Sequence, residues 1–126
     1  MKLHKFTRSL LLLSLGITAF AQAQTLSMEV WKSPTCGCCN EWISYMQKNG
    51  FEVKVNETGN YDAHKRFNIK YEHASCHTAV IDGYVIEGHV PAEDIKRLLA
   101  EKPDAIGLSA PGMPIGSPGM DGEAYG

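Results

Sequence analysis

The fold of this chain follows from the stretch WKSPTCGCC, residues 31–39, which joins a strand-like run to a helix-like run. At the N-terminus of a helix, free N–H groups and the positive end of the helix dipole lower the pKa of a thiol and favour thiolate. The neighbours Cys38 and Cys39 rarely form a disulfide with each other, because the small ring strains the peptide between them. Three thiols on one turn, with Cys36 as the first, therefore indicate capture of a soft metal ion.

Hydrophobic periodicity on both sides of this stretch predicts alternating strands and helices. Asp82-Gly83 suits a two-residue type I′ turn between two strands, and Asn60 is a candidate N-cap. The predicted elements are strands at 26–31, 51–56, 78–81 and 84–86, and helices at 38–48, 61–67 and from Pro91 to before Pro103. The order β-α-β-α-β-β-α is that of the thioredoxin core, so the predicted fold class is α/β and thioredoxin-like.

This topology is expected to bring three distant segments to one rim of the sheet. We expect strands one and two to be parallel, with strands three and four antiparallel to them. The end of strand one, the start of strand three and the exit of strand four then lie together, and they carry residues 36–39, Cys76 and His89. His89 is a candidate imidazole ligand, whereas His77 is expected to face away from Cys76, since neighbours alternate in an extended segment.

The C-terminal segment, residues 110–126, is rich in Gly, Pro and Met and lacks any period, so we expect an irregular arm. Two similar turns in it present the thioethers of Met113 and Met120. An extended chain covers about 3.3 Å per residue, so the arm is long enough to return both thioethers to the cysteine rim. A mobile tail is the alternative that composition alone supports.

The N-terminus has the pattern of a cleaved export signal, residues 1–23, in which basic residues precede an apolar stretch and Ala21-Gln22-Ala23. The apolar stretch is shorter than the roughly 20 residues of a membrane-spanning helix. We therefore expect a periplasmic chain with no membrane span after cleavage, in which residues 24–109 form one metal-binding domain. Cleavage removes three of the twelve basic residues, which leaves nine against fourteen acidic ones and argues against nucleic-acid binding.

Four stretches of the chain carry a family resemblance, and in order they are WKSPTCGCC at 31–39, SCHTA at 75–79, DGYVIEGHVP at 82–91 and PGMPIGSPGM at 111–120. They resemble the corresponding stretches of the exported, thioredoxin-like CopG-type copper-resistance proteins. The resemblance implies a periplasmic protein that binds several copper ions through bridging cysteines, with a role in copper redox handling left open. Other envelope copper-handling proteins are the candidate partners.

The donor chemistry agrees with this resemblance. Thiolates and thioethers are soft donors that select Cu(I), and a thiolate that bridges two Cu(I) ions suits a small polynuclear cluster. The predicted metal ligands are Cys36, Cys38, Cys39, Cys76, His89, Met113 and Met120. The predicted function is Cu(I) binding for copper resistance and homeostasis, and whether the protein is also a copper redox enzyme stays open.

Two other functions also stay open. A thiol–disulfide oxidoreductase would use Cys36 as nucleophile and Cys39 as resolving thiol, which leaves Cys38 and Cys76 superfluous. A structural zinc or iron–sulfur module would use the four thiolates. Zinc has no use for thioethers, so a role for the arm would argue against that module.

Overall fold

The computed structural model describes residues 14–19 and 25–120, and it confirms the predicted α/β fold class. The elements are β1 (Leu26–Lys32), α1 (Gly37–Lys48), β2 (Phe51–Asn56), α2 (Tyr61–Arg66), β3 (His77–Ile81), β4 (Tyr84–Gly88), α3 (Ala92–Glu101) and β5 (Gly107–Ala110). A short 3-10 helix, Tyr71–His73, precedes β3. All seven predicted elements are therefore present, and β5 is an addition.

The strands form one five-stranded sheet in the order β2-β1-β3-β4-β5. β2 is parallel to β1, β3 is antiparallel to β1, and β4 is antiparallel to β3. β4 therefore runs in the same direction as β1, and the prediction that β4 is antiparallel to β1 was wrong. The reason is that β3 is antiparallel to β1, and the hairpin after β3 reverses the chain direction a second time. The shared rim is confirmed, since Lys32 at the end of β1 pairs with His77 at the start of β3.

The turn between β3 and β4 has the predicted chemistry. Asp82 and Gly83 both have positive φ, 49° and 81°, as both central residues of a type I′ turn require. The turn lies at the end of the sheet away from the cysteines, and it returns the chain so that β4 ends at the rim.

The additional strand β5 pairs in parallel with β4 and includes Ala110, which was assigned to the irregular arm. A strand of four residues carries too little alternation to be read from sequence. Gly107 is needed there, since an added Cβ would lie within bonding distance of the Val85 carbonyl oxygen. The arm thus starts from the sheet edge rather than from the end of α3.

The apolar core lies between the sheet and α1 and α3. Its largest member, Trp42, is fully buried, as is Met46 one turn further along α1. The Trp42 indole N–H donates to the Val90 carbonyl oxygen at 3.0 Å. That bond ties the first turns of α1 to the exit of β4, the two segments that carry Cys39 and His89.

Asn60 does not cap α2, because its side chain makes no hydrogen bond to the helix N-terminus. Its amide instead donates to the Ser75 carbonyl oxygen at 3.1 Å and to Thr78 Oγ1 at 3.3 Å. The residue therefore holds the segment that leads into β3.

Most of the predicted signal peptide, residues 1–23, lies outside the described residues, as do residues 121–126. Residues 14–19 are described and are exposed, with neither helix nor strand. Over the described parts of the chain, no helix has the length and apolar character needed to cross a membrane.

Candidate metal centre

Cys36 is the N-cap of α1, and its sulfur accepts a hydrogen bond from the backbone N–H of Cys39 at 3.3 Å. These two residues are joined by a disulfide, with their Cα atoms 5.3 Å apart. Cys38 and Cys76 are free thiols. The cysteine pair that sequence reasoning named for an oxidoreductase is therefore the pair that is bonded.

The four cysteine sulfurs form one compact group. Cys38 Sγ lies 3.5 Å from Cys36 Sγ and 3.9 Å from Cys76 Sγ. All four sulfurs, including that of Cys39, lie within 4.8 Å of one another. The rim topology thus brings together the residues that the sequence predicted would meet, although Cys76 is 38 residues from Cys38 in the chain.

Two imidazoles lie beside the sulfur of Cys76. His89 Nε2 lies 3.3 Å from Cys76 Sγ, and His77 Nδ1 lies 3.4 Å from the same atom. His77 therefore does not face away from Cys76, as expected from alternation. β3 begins at His77, so Cys76 lies before the regular strand and strand alternation does not govern its direction. The adjacent Cys-His pair in the sequence was the only available signal.

A backbone carbonyl of the arm sets the tautomer of His89. Its Nδ1 lies 2.7 Å from the Pro118 oxygen, which can only accept, so Nδ1 carries the proton and Nε2 presents a lone pair towards Cys76. Such a second hydrogen bond is typical of histidines that bind metal. Burial lowers the pKa of His89, opposed by the bond to Pro118.

Burial also controls the protonation of the other two groups. It lowers the pKa of His77 to about 3, with a further contribution from the charge of His89. Burial raises the pKa of the Cys76 thiol to about 11, and a hydrogen bond from Ser75 partly opposes this rise. At neutral pH both imidazoles are therefore neutral, and the Cys76 sulfur carries its proton.

The C-terminal arm returns to this rim. Met120 is buried against Cys38 and Cys39, with 7 % of its surface exposed. Met113 Sδ lies 4.0 Å from Cys38 Sγ, although 56 % of the residue is exposed. The backbone N–H of Gly112 donates to the Ala74 oxygen at 3.1 Å, which fixes the start of the arm beside Cys76.

A buried carboxylate fixes the approach to Cys76. Glu87, 2 % exposed, accepts hydrogen bonds from the Ser75 backbone N–H at 2.9 Å and from Thr78 Oγ1 at 2.6 Å. His64 Nε2 lies 2.7 Å from the same carboxylate. Sequence reasoning missed Glu87, because only the strand register reveals that it faces this segment.

The chain matches one family model and is similar to solved structures. A family model described as a protein of unknown function, DUF411, matches residues 73–120. Two solved structures, titled copper resistance protein copG, Form 2 and Form 1, are each 44 % identical to this chain. They cover 78 % of it, with TM-scores of 0.73 and 0.72, and the match spans 79 % and 78 % of their own lengths.

The chain belongs to the CopG copper-resistance protein family. The identity and coverage confirm the resemblance that the four sequence stretches indicated. No curated protein matches the chain. The cysteine cluster has a donor set able to hold a metal ion.

Proposed function

We propose that this protein binds Cu(I) in the periplasm, in a polynuclear site bridged by its four cysteines, and so serves copper resistance and homeostasis. The observation that carries the proposal is the packing of four sulfurs from distant segments within 4.8 Å of one another. Thiolates this close share ions rather than binding one each, because each sulfur can bridge two soft Cu(I) ions. The relatives' titles name copper resistance, which supports copper as the cargo.

His89, Met113 and Met120 are the proposed ligands at the margin of the cluster. His89 presents a neutral nitrogen 3.3 Å from Cys76 Sγ, and Met120 is buried against the sulfurs of α1. Met113 is close enough to join them by a side-chain rotation. Thioethers favour copper over zinc, since they are soft and uncharged donors.

The disulfide between Cys36 and Cys39 must be reduced before these residues bind copper, because only the thiolate is a ligand. Reduction by an envelope dithiol breaks the S–S bond, and it consumes two electrons and two protons. The opposite reaction offers a route to copper redox handling. Two thiols pass one electron to each of two Cu(II) ions, which forms two Cu(I) ions and the disulfide and releases two protons.

A second candidate is a thiol–disulfide oxidoreductase, and the observed Cys36–Cys39 disulfide at the N-terminus of α1 favours it. In that function Cys36 attacks a substrate disulfide and Cys39 resolves the mixed disulfide. Cys38, whose sulfur lies 3.5 Å from Cys36 Sγ, has no role in that exchange. Replacement of Cys38 therefore separates the two candidates.

Metal analysis of protein purified from the periplasm, under reducing and anaerobic conditions, tests the proposal. We expect more than one copper per chain, and Cys38→Ser should lose more than one ion because a bridging sulfur is removed. The oxidoreductase predicts metal-free protein that reduces insulin and keeps this activity in Cys38→Ser. One zinc, or visible iron–sulfur absorption, would identify a structural metal module instead.

Localisation has its own test. Deletion of residues 2–23 should leave a folded protein in the cytoplasm that gives no copper tolerance, whereas the full chain should give tolerance and appear in the periplasmic fraction. Full tolerance from the truncated chain would contradict a periplasmic role.

A further inference from the structure

Cys76, His77 and His89 form a second group of metal-binding side chains on the same rim. Their donor atoms all lie within 4.8 Å of one another. The group includes neither Cys36 nor Cys39, so the disulfide between those residues leaves it intact. It therefore differs from the four-cysteine cluster, which loses two donors whenever the disulfide is closed.

The separations around Cys76 fit two donors on one ion. A tetrahedral ion about 2.3 Å from sulfur and about 2.0 Å from nitrogen sets a sulfur–nitrogen separation of about 3.5 Å. The observed separations are 3.3 Å to His89 Nε2 and 3.4 Å to His77 Nδ1. Each imidazole nitrogen is therefore at the distance from Cys76 Sγ that two ligands of one metal ion would have.

The two rings are held in place by their surroundings. Pro118 accepts from His89 Nδ1, which leaves Nε2 as the free donor atom. The ring of His77 lies between Trp42 and His89, with ring centroids 4.4 Å and 5.0 Å away. His77 is fully buried, and its Nδ1, 3.4 Å from Cys76 Sγ, is the nitrogen that faces the sulfur. Its Nε2 has no hydrogen-bond partner among the described residues.

We propose that Cys76, His77 and His89 form a mononuclear copper position that remains available while Cys36 and Cys39 are joined. One thiolate and two imidazoles make a set of intermediate softness, which suits Cu(II) as well as Cu(I). The proposal deepens the proposed function, since it adds a second copper position that the oxidised protein can fill. Cys76 and the proposed marginal ligand His89 are common to both sites, so an ion here lies next to the cluster.

Cobalt(II) binding to the oxidised, disulfide-closed protein tests the proposal, because this ion does not oxidise thiols. We expect one cobalt per chain, with the charge-transfer absorption of a sulfur ligand. His77→Gln and His89→Gln should each weaken binding roughly tenfold or more, as expected when a held imidazole is lost. The matched control, His73→Gln, changes an imidazole that is 57 % exposed and should leave binding unchanged.

Copper itself is tested in the Cys38→Ser variant, in which Cys76 is the one remaining free thiol. Cu(II) should displace the cobalt and produce a thiolate-to-copper absorption that His77→Gln removes. No cobalt binding, binding that survives both histidine changes, or a failure of Cu(II) to displace cobalt would overturn the proposal. His89→Gln keeps the test decisive if His77→Gln does not fold.

The same samples separate this proposal from the four-cysteine cluster. If reduced wild-type protein holds several Cu(I) ions while the oxidised protein binds no cobalt, only the second position is refuted. If the oxidised protein binds cobalt as expected but the reduced protein holds no more than one Cu(I), only the polynuclear site is refuted.

Discussion

Gly119 packs closely against α1 and His89, so Gly119→Ala is the sharpest test of arm docking. Its φ is +83°, and an added Cβ would lie 2.8 Å from the Trp42 backbone nitrogen. The same Cβ would lie 3.1 Å from both the Cys38 carbonyl oxygen and His89 Nδ1. The first two contacts are with the backbone of α1, which cannot move aside without disturbing the helix.

Two free-energy costs oppose docking of the arm in the Gly119→Ala variant. A left-handed conformation costs an L-residue about 1–2 kcal/mol, and forcing a methyl group into a packed site costs about 1–3 kcal/mol more. A combined cost of about 2–5 kcal/mol would shift the equilibrium between docked and undocked arm by roughly 30- to 4,000-fold. Undocking removes the Pro118 carbonyl from His89 and Met120 from the cysteines, so Cu(I) should also pass to a chelator faster.

Gly116→Ala is the matched control, because Gly116 has a similar φ of +87° but an added Cβ there meets no atom of the described residues within 4 Å. It should show the conformational cost alone, about 1–2 kcal/mol. Hydrogen exchange of residues 111–120 in both variants measures the difference. Equal protection of the arm in the two variants would refute the close packing of Gly119 on α1.

Three further predictions concern single residues. Met120→Ala should weaken Cu(I) retention and expose the arm to proteolysis, because Met120 is only 7 % exposed. Met113→Ala should weaken Cu(I) retention alone, because Met113 is already 56 % exposed. Equal proteolysis of the two variants would contradict this prediction. Copper binding should release a proton from Cys76 at neutral pH, because burial raises the pKa of its thiol to about 11; copper uptake at constant pH without acid release would argue against Cys76 as a ligand. The pKa of His77 is lowered to about 3, so its contribution to stability is complete above the unfolded pKa of about 6.5 and is lost as the pH falls towards 3. Chelator-treated protein should lose about 2 kcal/mol of unfolding free energy between pH 6.5 and 5 from this group, and His77→Gln should flatten that slope.

The element order and the meeting of the cysteines could be predicted from sequence because each depends on short-range signals. Alternation, helical periodicity and the Asp82-Gly83 turn specify the strands and helices within a few residues of each position. Once the order β-α-β-α-β-β-α is known, topology brings the end of β1 and the start of β3 to one rim. The topology alone therefore predicts that Cys76 lies near Cys38, and no information about side-chain contacts is needed.

Tertiary structure alone decided the finer features of the centre. The direction of His77 and the bond from His89 to Pro118 each depend on atoms a few ångströms apart. Sequence spacing does not encode separations of this size when the partners are distant in the chain. β5 was hidden for a related reason, since its four residues are held by pairing with β4 rather than by a pattern of their own.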